Sequence, residues 1–288
     1  MNWLARTIWL LFNVFFGAPS ATLLFLWVAC DLQLPLIIIE PISSYLPAFK
    51  TLFNVPYVHI NEFSSSVSAK LLFNAFLYAI FGTVHTLFAQ EFMQVILRRF
   101  LFPKETLRTV YCILTTITVI VLIGFWQHTH IQLWNWLPRT MDIYQQQRVL
   151  LLLFLLFYSP GSYVIIKFNP LEFCGVNQIF SKSKTSSCPY ASSEESEKRT
   201  SGNETLVTTG LFRLCRHPLY FFTILAWIIT PVMSLDRLAF IVYTCLYALI
   251  GIRFEERKLV QIFGESYVRY QQRVPSIIPS FRRKAKEL

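Results

Sequence analysis

The stretch HPLYFFTILAWIITPVMSLDRLAFIVYTCLYALIGIR, residues 217–253, is apolar almost throughout and is interrupted only by the short segment 234–237. A helix needs about 20 apolar residues to cross a bilayer, so this stretch is long enough for two crossings joined by a tight turn. The whole chain of 288 residues is 54% hydrophobic and only 15% charged, which is too apolar for an ordinary soluble domain. We therefore expect an all-α, polytopic membrane protein.

Six windows are long and apolar enough to form membrane-spanning helices: 8–30, 68–88, 109–127, 147–167, 217–235 and 236–253. The pattern shows no strand periodicity and no internal repeat. The apolar part of the first window is too long for a cleavable signal peptide, so we expect it to remain as a span. The chain then divides into an N-terminal span with a proline-broken interfacial segment (1–67) and a helical domain (68–288) with a flexible, Ser-rich insertion (181–203).

Basic residues are distributed unevenly among the predicted loops. The segments 89–108, 167–216 and 253–288 carry four, seven and nine of them, whereas each intervening loop carries one or two. Because basic loops stay on the cytoplasmic side, this alternation predicts that both termini are cytoplasmic. The formal net charge of +10 then arises largely from clusters that face anionic membrane lipid, and no basic helix with soluble flanks indicates a nucleic-acid partner.

Three short sequence features concern the cellular compartment, glycosylation and the state of the cysteines. The C-terminal KAKEL places Lys284 and Lys286 as in a dilysine-type signal for return to the endoplasmic reticulum, although a basic juxtamembrane tail explains it equally well. Asn203 begins an N-glycosylation sequon that the predicted topology places in the cytoplasm, where it cannot be used. The six cysteines show no CxxC or metal-type spacing, so we expect free thiols and no metal site.

A cluster of polar residues stands at the start of the fifth window. Pro218 suits the first helical position because its missing N–H is not needed there, so His217 is predicted as the helix cap. Free backbone N–H groups, the Arg216 guanidinium and the His217 ring together form a receptor for a carboxylate or phosphate. Tyr220 lies on the same face, one turn deeper. The plainer interpretation is that Arg216 reaches lipid headgroups and His217 only caps the helix.

Two adjacent acids, Glu255 and Glu256, lie at the end of the sixth window. A hairpin of equal helices returns them to the neighbourhood of Arg216 and His217. We expect the acids and the anion receptor to face one another across a short gap, which a zwitterionic or cationic ligand would bridge. Carboxylates at a helix C-terminus oppose the helix dipole, which indicates a role other than helix stability.

Apolar residues recur beyond these acids with helical spacing, at Leu259, Phe263, Tyr267 and Tyr270. The spacing predicts an amphipathic helix along the cytoplasmic face, with Gly264 in its middle. Such a helix is either a surface-bound tail or a cover that excludes water from the site.

Three tryptophans follow the third window, at Trp126, Trp134 and Trp136. We interpret them as an aromatic belt at the far membrane interface, because tryptophan is enriched at headgroup level.

The C-terminal strings LVTTGLFRLCRHPLYFF (206–222) and EERKLVQIFGESYVRYQQRVPSIIP (255–279) resemble the signature of a membrane methyltransferase superfamily. That superfamily includes isoprenylcysteine carboxyl methyltransferases and phospholipid methyltransferases. Three upstream strings are similar to its narrower nurim and methanethiol S-methyltransferase branch: TVHTLFAQEFM (83–93), FWQHTHIQLWNW (125–136) and FNPLEFCGVNQIF (168–180). The resemblance covers about residues 68–281 and is most specific in the C-terminal part.

The resemblance implies that S-adenosylmethionine binds at the cytoplasmic end of the last hairpin. Arg216 and His217 would hold its methionyl carboxylate. Glu255 or Glu256 would meet its ammonium group or ribose hydroxyls, and Tyr220 would line the pocket.

Further positions follow from the same resemblance. Gly210 would let the backbone approach the adenine, and Gln178 is grouped with the cofactor-binding positions, although its role is not assigned. His85 is the candidate general base, so that His85 and Arg216 are the candidate catalytic residues; a helix-end histidine bonded to backbone is the plainer alternative for His85. The sequence departs from the branch at Val84, where a glutamine commonly precedes the histidine, and in its Ser-rich insertion.

The expected function is S-adenosylmethionine-dependent methylation of a small or lipophilic thiol. An isoprenylcysteine carboxylate or a phospholipid amine would use the same donor site. The rival classes are a catalytically idle, nurim-like protein of the nuclear envelope and a nicotinamide-dependent sterol reductase. Nurim-like members generally lose the tyrosine and glutamate positions, so the presence of Tyr220, Glu255 and Glu256 favours catalysis. The expected location is the membrane of the endoplasmic reticulum or the nuclear envelope.

Overall fold

The computed structural model describes residues 3–12, 18–33, 64–100, 106–167 and 206–279, and these are mostly helical. The helices are α1 (Trp3–Phe12), α2 (Ala18–Ala29), α3 (Val67–Ala89), α4 (Glu91–Phe100), α5 (Leu107–Gly124), α6 (Ile143–Lys167), α7 (Pro218–Ile228), α8 (Leu235–Phe263) and α9 (Glu265–Arg273). A short 3₁₀ turn (Gly210–Arg213) precedes α7, and the strands are β1 (Gln132–Asn135) and β2 (Val232–Ser234). Several predicted features lie outside the described residues: the interfacial segment, the insertion 181–203, Gln178, Asn203, Lys284 and Lys286.

Four helices, α3, α5, α6 and α8, are each long and apolar enough to cross a membrane. This agrees with the predicted all-α, polytopic membrane protein, whereas six spans are not found among the described residues. The first window overlaps two described helices, α1 and α2. The helix in the fifth window, α7, has 11 residues. It is therefore about 16 Å long, whereas the membrane hydrocarbon is roughly 30 Å thick. It ends early because the residue before Pro231 is driven out of the helical region.

A small antiparallel ribbon replaces the predicted tight turn between the fifth and sixth windows. β1 pairs with β2, with Gln132 opposite Ser234 and Trp134 opposite Met233. The turn predicted at residues 234–237 is wrong, since Ser234 caps α8 by accepting a hydrogen bond from the Arg237 N–H at 3.2 Å, and Leu235–Arg237 form its first turn. Strands of three and four residues are too short to produce a visible alternation in the sequence.

An aromatic core joins the helices. Trp27 of α2 contacts Trp126 edge to face, with ring centroids 5.5 Å apart, and Phe240 of α8 at 5.8 Å. Trp126 is 4% exposed, so its predicted place in an interfacial belt is wrong: it is a core residue. Trp134 and Trp136 stack at 6.0 Å on the ribbon, and Trp136 is exposed.

Buried polar side chains brace the ribbon end of the bundle. The Asn74 amide donates to the Gln127 carbonyl and accepts from the Gln127 N–H, both at 2.8 Å. The Asp236 carboxylate accepts from the Thr129 N–H at 3.1 Å. Arg237, 1% exposed, donates to the Ala29 carbonyl at 3.3 Å. These bonds connect α2, α3 and α8 to the segment before β1, because buried backbone groups without water need protein partners.

Helix α7 is positioned mainly by α6. Gly161 of α6 permits this contact, since a side chain there would approach the Cβ atom of Phe222 to 3.1 Å. The close approach of the two helices fixes where α7 begins, and the candidate site lies at that beginning.

The chain breaks between α8 and α9 at Gly264, whose φ of +56° is accessible at low cost only to glycine. The predicted amphipathic helix through Gly264 is therefore two helices. Leu259, Tyr267 and Tyr270 are buried together against Val164 and the 3₁₀ turn, in a second small core. Their apolar face covers protein, which places α9 directly over the start of α7.

Candidate active site

The start of α7 has the predicted local structure. His217 is the residue before the helix and Pro218 occupies its first turn, where a missing N–H leaves no backbone bond unmade. The sequence therefore determined this helix boundary to the residue.

The C-terminal segment clamps the two residues before α7. The N–H groups of Arg216 and His217 donate to the carbonyl oxygens of Pro275 and Ser276, both at 2.9 Å. Because these N–H groups have partners, fewer backbone donors remain for an anion than the sequence predicts. The clamp instead holds both side chains in place from the backbone.

Glu256 is the centre of the cluster. Its Oε1 atom accepts from Arg216 Nε at 2.7 Å and from His217 Nε2 at 3.1 Å, and its Oε2 atom accepts from Gln271 Nε2 at 3.0 Å. The Arg216 Nη1 group also donates to the carbonyls of Gln271 and Val274. The expectation that the hairpin brings an acid beside Arg216 and His217 is confirmed. The expected gap between them is wrong, because the ion pair closes it.

His217 retains one unused polar atom. The side chain is 2% exposed, and its Nδ1 atom has no hydrogen-bond partner among the described residues. Glu255 Oε2 lies 3.7 Å from that atom, which is beyond hydrogen-bond distance. The Tyr220 ring meets the His217 ring edge to face at 5.9 Å. A buried polar atom without a partner is costly, so Nδ1, Glu255 and Tyr220 mark the side of the cluster where a polar ligand fits.

Gly210 begins the 3₁₀ turn before α7 with a φ of +65°, and a Cβ atom built there would meet nothing within 4 Å. The turn is tied to α9 by the Tyr270 hydroxyl, which donates to the Phe212 carbonyl at 2.6 Å. The structure thus leaves space beside the Gly210 backbone, while no described hydrogen bond connects Gly210 to Glu256.

His85 belongs to a separate group on α3. The Tyr111 hydroxyl lies 2.9 Å from both ring nitrogens of His85, and Thr115 Oγ1 lies 3.4 Å from Nδ1. The ring also stacks on Phe81 at 5.6 Å and meets Tyr247 at 6.4 Å. The alternative of a histidine bonded only to backbone is thus wrong, since its described partners are hydroxyl groups.

Two tyrosines flank His85. The Tyr111 ring centroid lies 5.2 Å from that of His85, and the Tyr247 ring centroid lies 6.4 Å from it. Arg108 lies over the Tyr111 ring, 4.8 Å from its centroid. The His85 group therefore combines two tyrosines with a nearby cation.

Sequence reasoning missed several members of the cluster. Gln271 lies in the quoted C-terminal string, but nothing in its local pattern distinguishes it from Gln272. Tyr267, predicted as an apolar position of a surface helix, is buried, and this burial raises its pKa. Burial likewise raises the pKa of the neighbouring Cys215 thiol to about 11. Tyrosine and glutamine with helical spacing beside an acid pair are the only signal that could have identified α9 as part of the site.

The geometry combines one fixed cation (Arg216), two acids (Glu255 and Glu256) and the partly satisfied His217 in one place. Such a set recognises a ligand that carries both charges. Within the described part of the chain, no group of three or more His, Cys, Asp or Glu side chains could hold a metal ion.

Comparison with known proteins assigns the chain to a family. Residues 113–274 match the family described as "Protein of unknown function (DUF1295)". The chain belongs to this family. The match includes α7, α8 and α9 and therefore the whole Glu256 cluster.

Similar proteins give this DUF1295 chain a more specific context. The methanethiol S-methyltransferase of Pseudomonas deceptionensis is 27% identical over 213 residues, which cover 74% of each protein. That of Crocosphaera subtropica is 27% identical over 220 residues, which cover 76% of this chain and 79% of the other. The protein-S-isoprenylcysteine O-methyltransferase B of Arabidopsis thaliana is 39% identical over 77 residues, which cover 26% of this chain and 39% of the other. The resemblance predicted from the motifs is thereby confirmed. No solved structure matches the chain.

Proposed function

We propose that this DUF1295 protein is an integral membrane methyltransferase that uses S-adenosylmethionine and methylates a small or lipophilic thiol. The observation that carries the proposal is the Arg216–His217–Glu256 cluster with its unpartnered His217 Nδ1 atom. Two relatives named methanethiol S-methyltransferase, each aligned over about three quarters of this chain, support the reaction class.

The residues of the cluster fit the charged end of this cofactor. Its methionyl group carries a carboxylate and an ammonium, which suit the Arg216 and His217 donors and the Glu255 and Glu256 acceptors. Tyr220 would line the pocket next to them. The Gly210 backbone, which has open space beside it, would face the adenine, and Gln178 is assigned to the cofactor with no stated contact.

Binding would exchange partners within the ion pair. Arg216 and Glu256 now neutralise each other at 2.7 Å with 10% and 15% of their side chains exposed. A zwitterion supplies one anion to the Arg216 side and one cation to the Glu256 side, so no buried charge is left without a partner. The C-terminal clamp would keep both side chains in position during the exchange.

The bound cofactor would supply an electrophilic methyl group on a sulfonium. The chain has to align the acceptor sulfur with that methyl group at about 3–3.5 Å and to exclude water. A small thiol is mostly protonated at neutral pH, so a base assists the reaction. His85 would take the thiol proton on a ring nitrogen, and the Tyr111 hydroxyl would orient the ring. Arg216 acts on the donor side, by holding the cofactor.

A second acceptor has a specific observation in its favour. The relative named protein-S-isoprenylcysteine O-methyltransferase has the higher identity, 39%, although over only 77 residues. An isoprenylcysteine carboxylate would use the same donor site. We place the thiol first because the relatives named for methanethiol align over far more of the chain.

The proposed topology has both termini in the cytoplasm and the site at the cytoplasmic face, in the endoplasmic reticulum or nuclear envelope. Glycosylation of Asn203 in cells would overturn this topology, because the modification occurs only on the lumenal side. Protease protection of tagged termini in isolated microsomes would test the same arrangement.

Binding and transfer assays on the purified full chain test the function. S-adenosylmethionine should bind in calorimetry and NADPH should not; the reverse would favour a reductase, and binding of neither would favour a structural protein. Glu255→Gln and Tyr220→Phe should weaken cofactor binding, whereas Glu265→Gln, an exposed control on α9, should leave it unchanged. Equal cofactor affinity in all three variants would refute the site.

The acceptor side needs a separate assay. Labelled-methyl transfer to a panel of thiols, prenylcysteines and phosphatidylethanolamine identifies the acceptor class. His85→Gln and Tyr111→Phe should both lower the rate of methyl transfer and leave the cofactor affinity unchanged. For His85→Gln, which removes the base, the rate should fall by roughly 10²–10⁴-fold. Unchanged rates in both variants would remove His85 from the mechanism.

A further inference from the structure

A groove lies beside the cluster and shares Glu256 and Gln271 with it. It has a volume of about 440 Å³ and is open to the surroundings. Its lining residues are Arg253, Glu256, Arg257, Val260, Gln261 and Gln271. The proposed catalytic function assigns no ligand to it, although its volume is within the range of roughly 300–1,000 Å³ that is typical of ligand sites.

The charge of the groove is positive. Arg253 and Arg257 are four residues apart on α8, so they lie on one face and repel each other. Neither forms an ion pair with an acid among the described residues; Arg257 only lies near the Phe254 ring, 5.9 Å from its centroid. The carboxylate that lines the groove, Glu256, is already paired with Arg216. Two uncompensated arginines on one helix face favour an anion, and a phosphate group matches their donor geometry.

The same charge argues against the cofactor. A sulfonium compound adds a cation to the zwitterionic end, and the two arginines would repel it. The groove therefore suits an anionic ligand, whereas the His217 Nδ1 side of the cluster suits the cationic cofactor. Both places border Glu256.

The groove continues a lipid-facing stripe of α8. Leu246, Leu249 and Ile250 are each more than half exposed, and the face that they form leads directly to Arg253 and Arg257. Arg253 lies about 27 Å along α8 from Leu235 at 1.5 Å per residue, which is close to the roughly 30 Å of membrane hydrocarbon. The arginines therefore stand at headgroup level, directly above exposed apolar side chains.

From this juxtaposition we infer that the groove is a binding site for an anionic phospholipid. Arg253 and Arg257 bind its phosphate, Gln261 lies at the headgroup, and its acyl chains lie along the apolar stripe of α8. A soluble phosphate would use only the upper part of this surface, whereas a lipid uses all of it. Glu256 and Gln271 form the wall that the groove shares with the candidate active site, so the lipid borders the ion pair directly.

The test measures lipid binding without any cofactor. The full chain is purified in uncharged detergent, and its thermal unfolding midpoint is titrated with phosphatidylglycerol, phosphatidylcholine or glycerol 3-phosphate. A ligand that binds the folded state raises the midpoint with concentration. Phosphatidylglycerol should raise it at concentrations where the other two have no effect. Each basic side chain near an anionic headgroup changes the binding affinity about five-fold. The double variant Arg253→Gln with Arg257→Gln should therefore weaken the affinity for phosphatidylglycerol roughly 30-fold.

A matched control separates a site from general surface charge. Arg98→Gln with Arg99→Gln removes two exposed arginines from α4 and should leave the lipid titration unchanged. Equal weakening by both double variants, or equal stabilisation by phosphatidylcholine, would overturn the proposal. Stabilisation by glycerol 3-phosphate alone would do so too, since it indicates a phosphate site without a lipid. If the groove variant loses its fold, Arg253→Lys with Arg257→Lys keeps the charge and should retain the lipid preference over phosphatidylcholine; its loss would also refute the inference.

Discussion

The ion pair between Arg216 and Glu256 gives the sharpest test of how the site is built. Glu256→Gln keeps the volume of the side chain and removes its charge. The wild-type carboxylate accepts from Arg216 Nε at 2.7 Å and from His217 Nε2 at 3.1 Å. Charge-assisted hydrogen bonds contribute about 1.5–3 kcal/mol each, and removal of one partner of a buried pair costs about 3–5 kcal/mol.

The local burial sets the expected value within that range. The two side chains remain 10% and 15% exposed, so water screens part of the charge that the substitution leaves behind. We therefore expect a loss of about 3 kcal/mol in the free energy of unfolding. The assay is SDS-induced unfolding in mixed micelles, followed by tryptophan fluorescence.

A matched substitution and a double-mutant cycle complete the experiment. Glu265→Gln makes the same chemical change in a pair 3.4 Å from Arg269, where Glu265 is 91% exposed, and should cost less than about 0.5 kcal/mol. Arg216→Gln combined with Glu256→Gln should be about 2 kcal/mol more stable than the sum of the single effects, because the two residues are in direct contact. If Glu256→Gln costs no more than Glu265→Gln, or if the cycle is additive, the buried pair does not hold α7 to α8 as described.

Three further outcomes test other parts of the structure. Asn74→Ala should lower the free energy of unfolding by about 2–3 kcal/mol, measured in the same way, because it removes the two buried hydrogen bonds from the Asn74 amide to the Gln127 backbone; a loss below 1 kcal/mol would contradict this. Gly264→Ala should cost about 1–3 kcal/mol through backbone strain alone, since its φ is +56° and a Cβ atom meets nothing within 4 Å; a neutral effect would show that the break between α8 and α9 relaxes freely. The Cys215 thiol, with its pKa raised to about 11 by burial, should be roughly one part in a thousand thiolate at pH 8. Its alkylation, followed by mass spectrometry, should thus be slow below pH 9, faster as pH rises towards 11, and rapid at pH 8 only after unfolding; rapid labelling of the folded chain at pH 8 would refute its burial.

The sequence by itself determined the features that depend on local composition. Long apolar windows are sufficient to predict membrane helices, and the His217–Pro218 step is sufficient to predict where α7 begins, because a proline without an N–H suits only the first turn. The meeting of Arg216 with an acid of α8 also followed from connectivity, since consecutive apolar helices fold back on each other.

Only the tertiary structure decided which of the two adjacent acids forms the ion pair. Glu255 and Glu256 are about 100° apart around the helix, and the rotation of α8 that aims Glu256 at Arg216 is set by packing along its whole length. The burial of Trp126 against Phe240 and the pairing of β1 with β2 likewise depend on contacts between segments about 100 residues apart. A local sequence pattern predicts which side chains are buried, but it does not predict which residues they contact. Those tertiary contacts determine both the closed ion pair and the positively charged groove beside it.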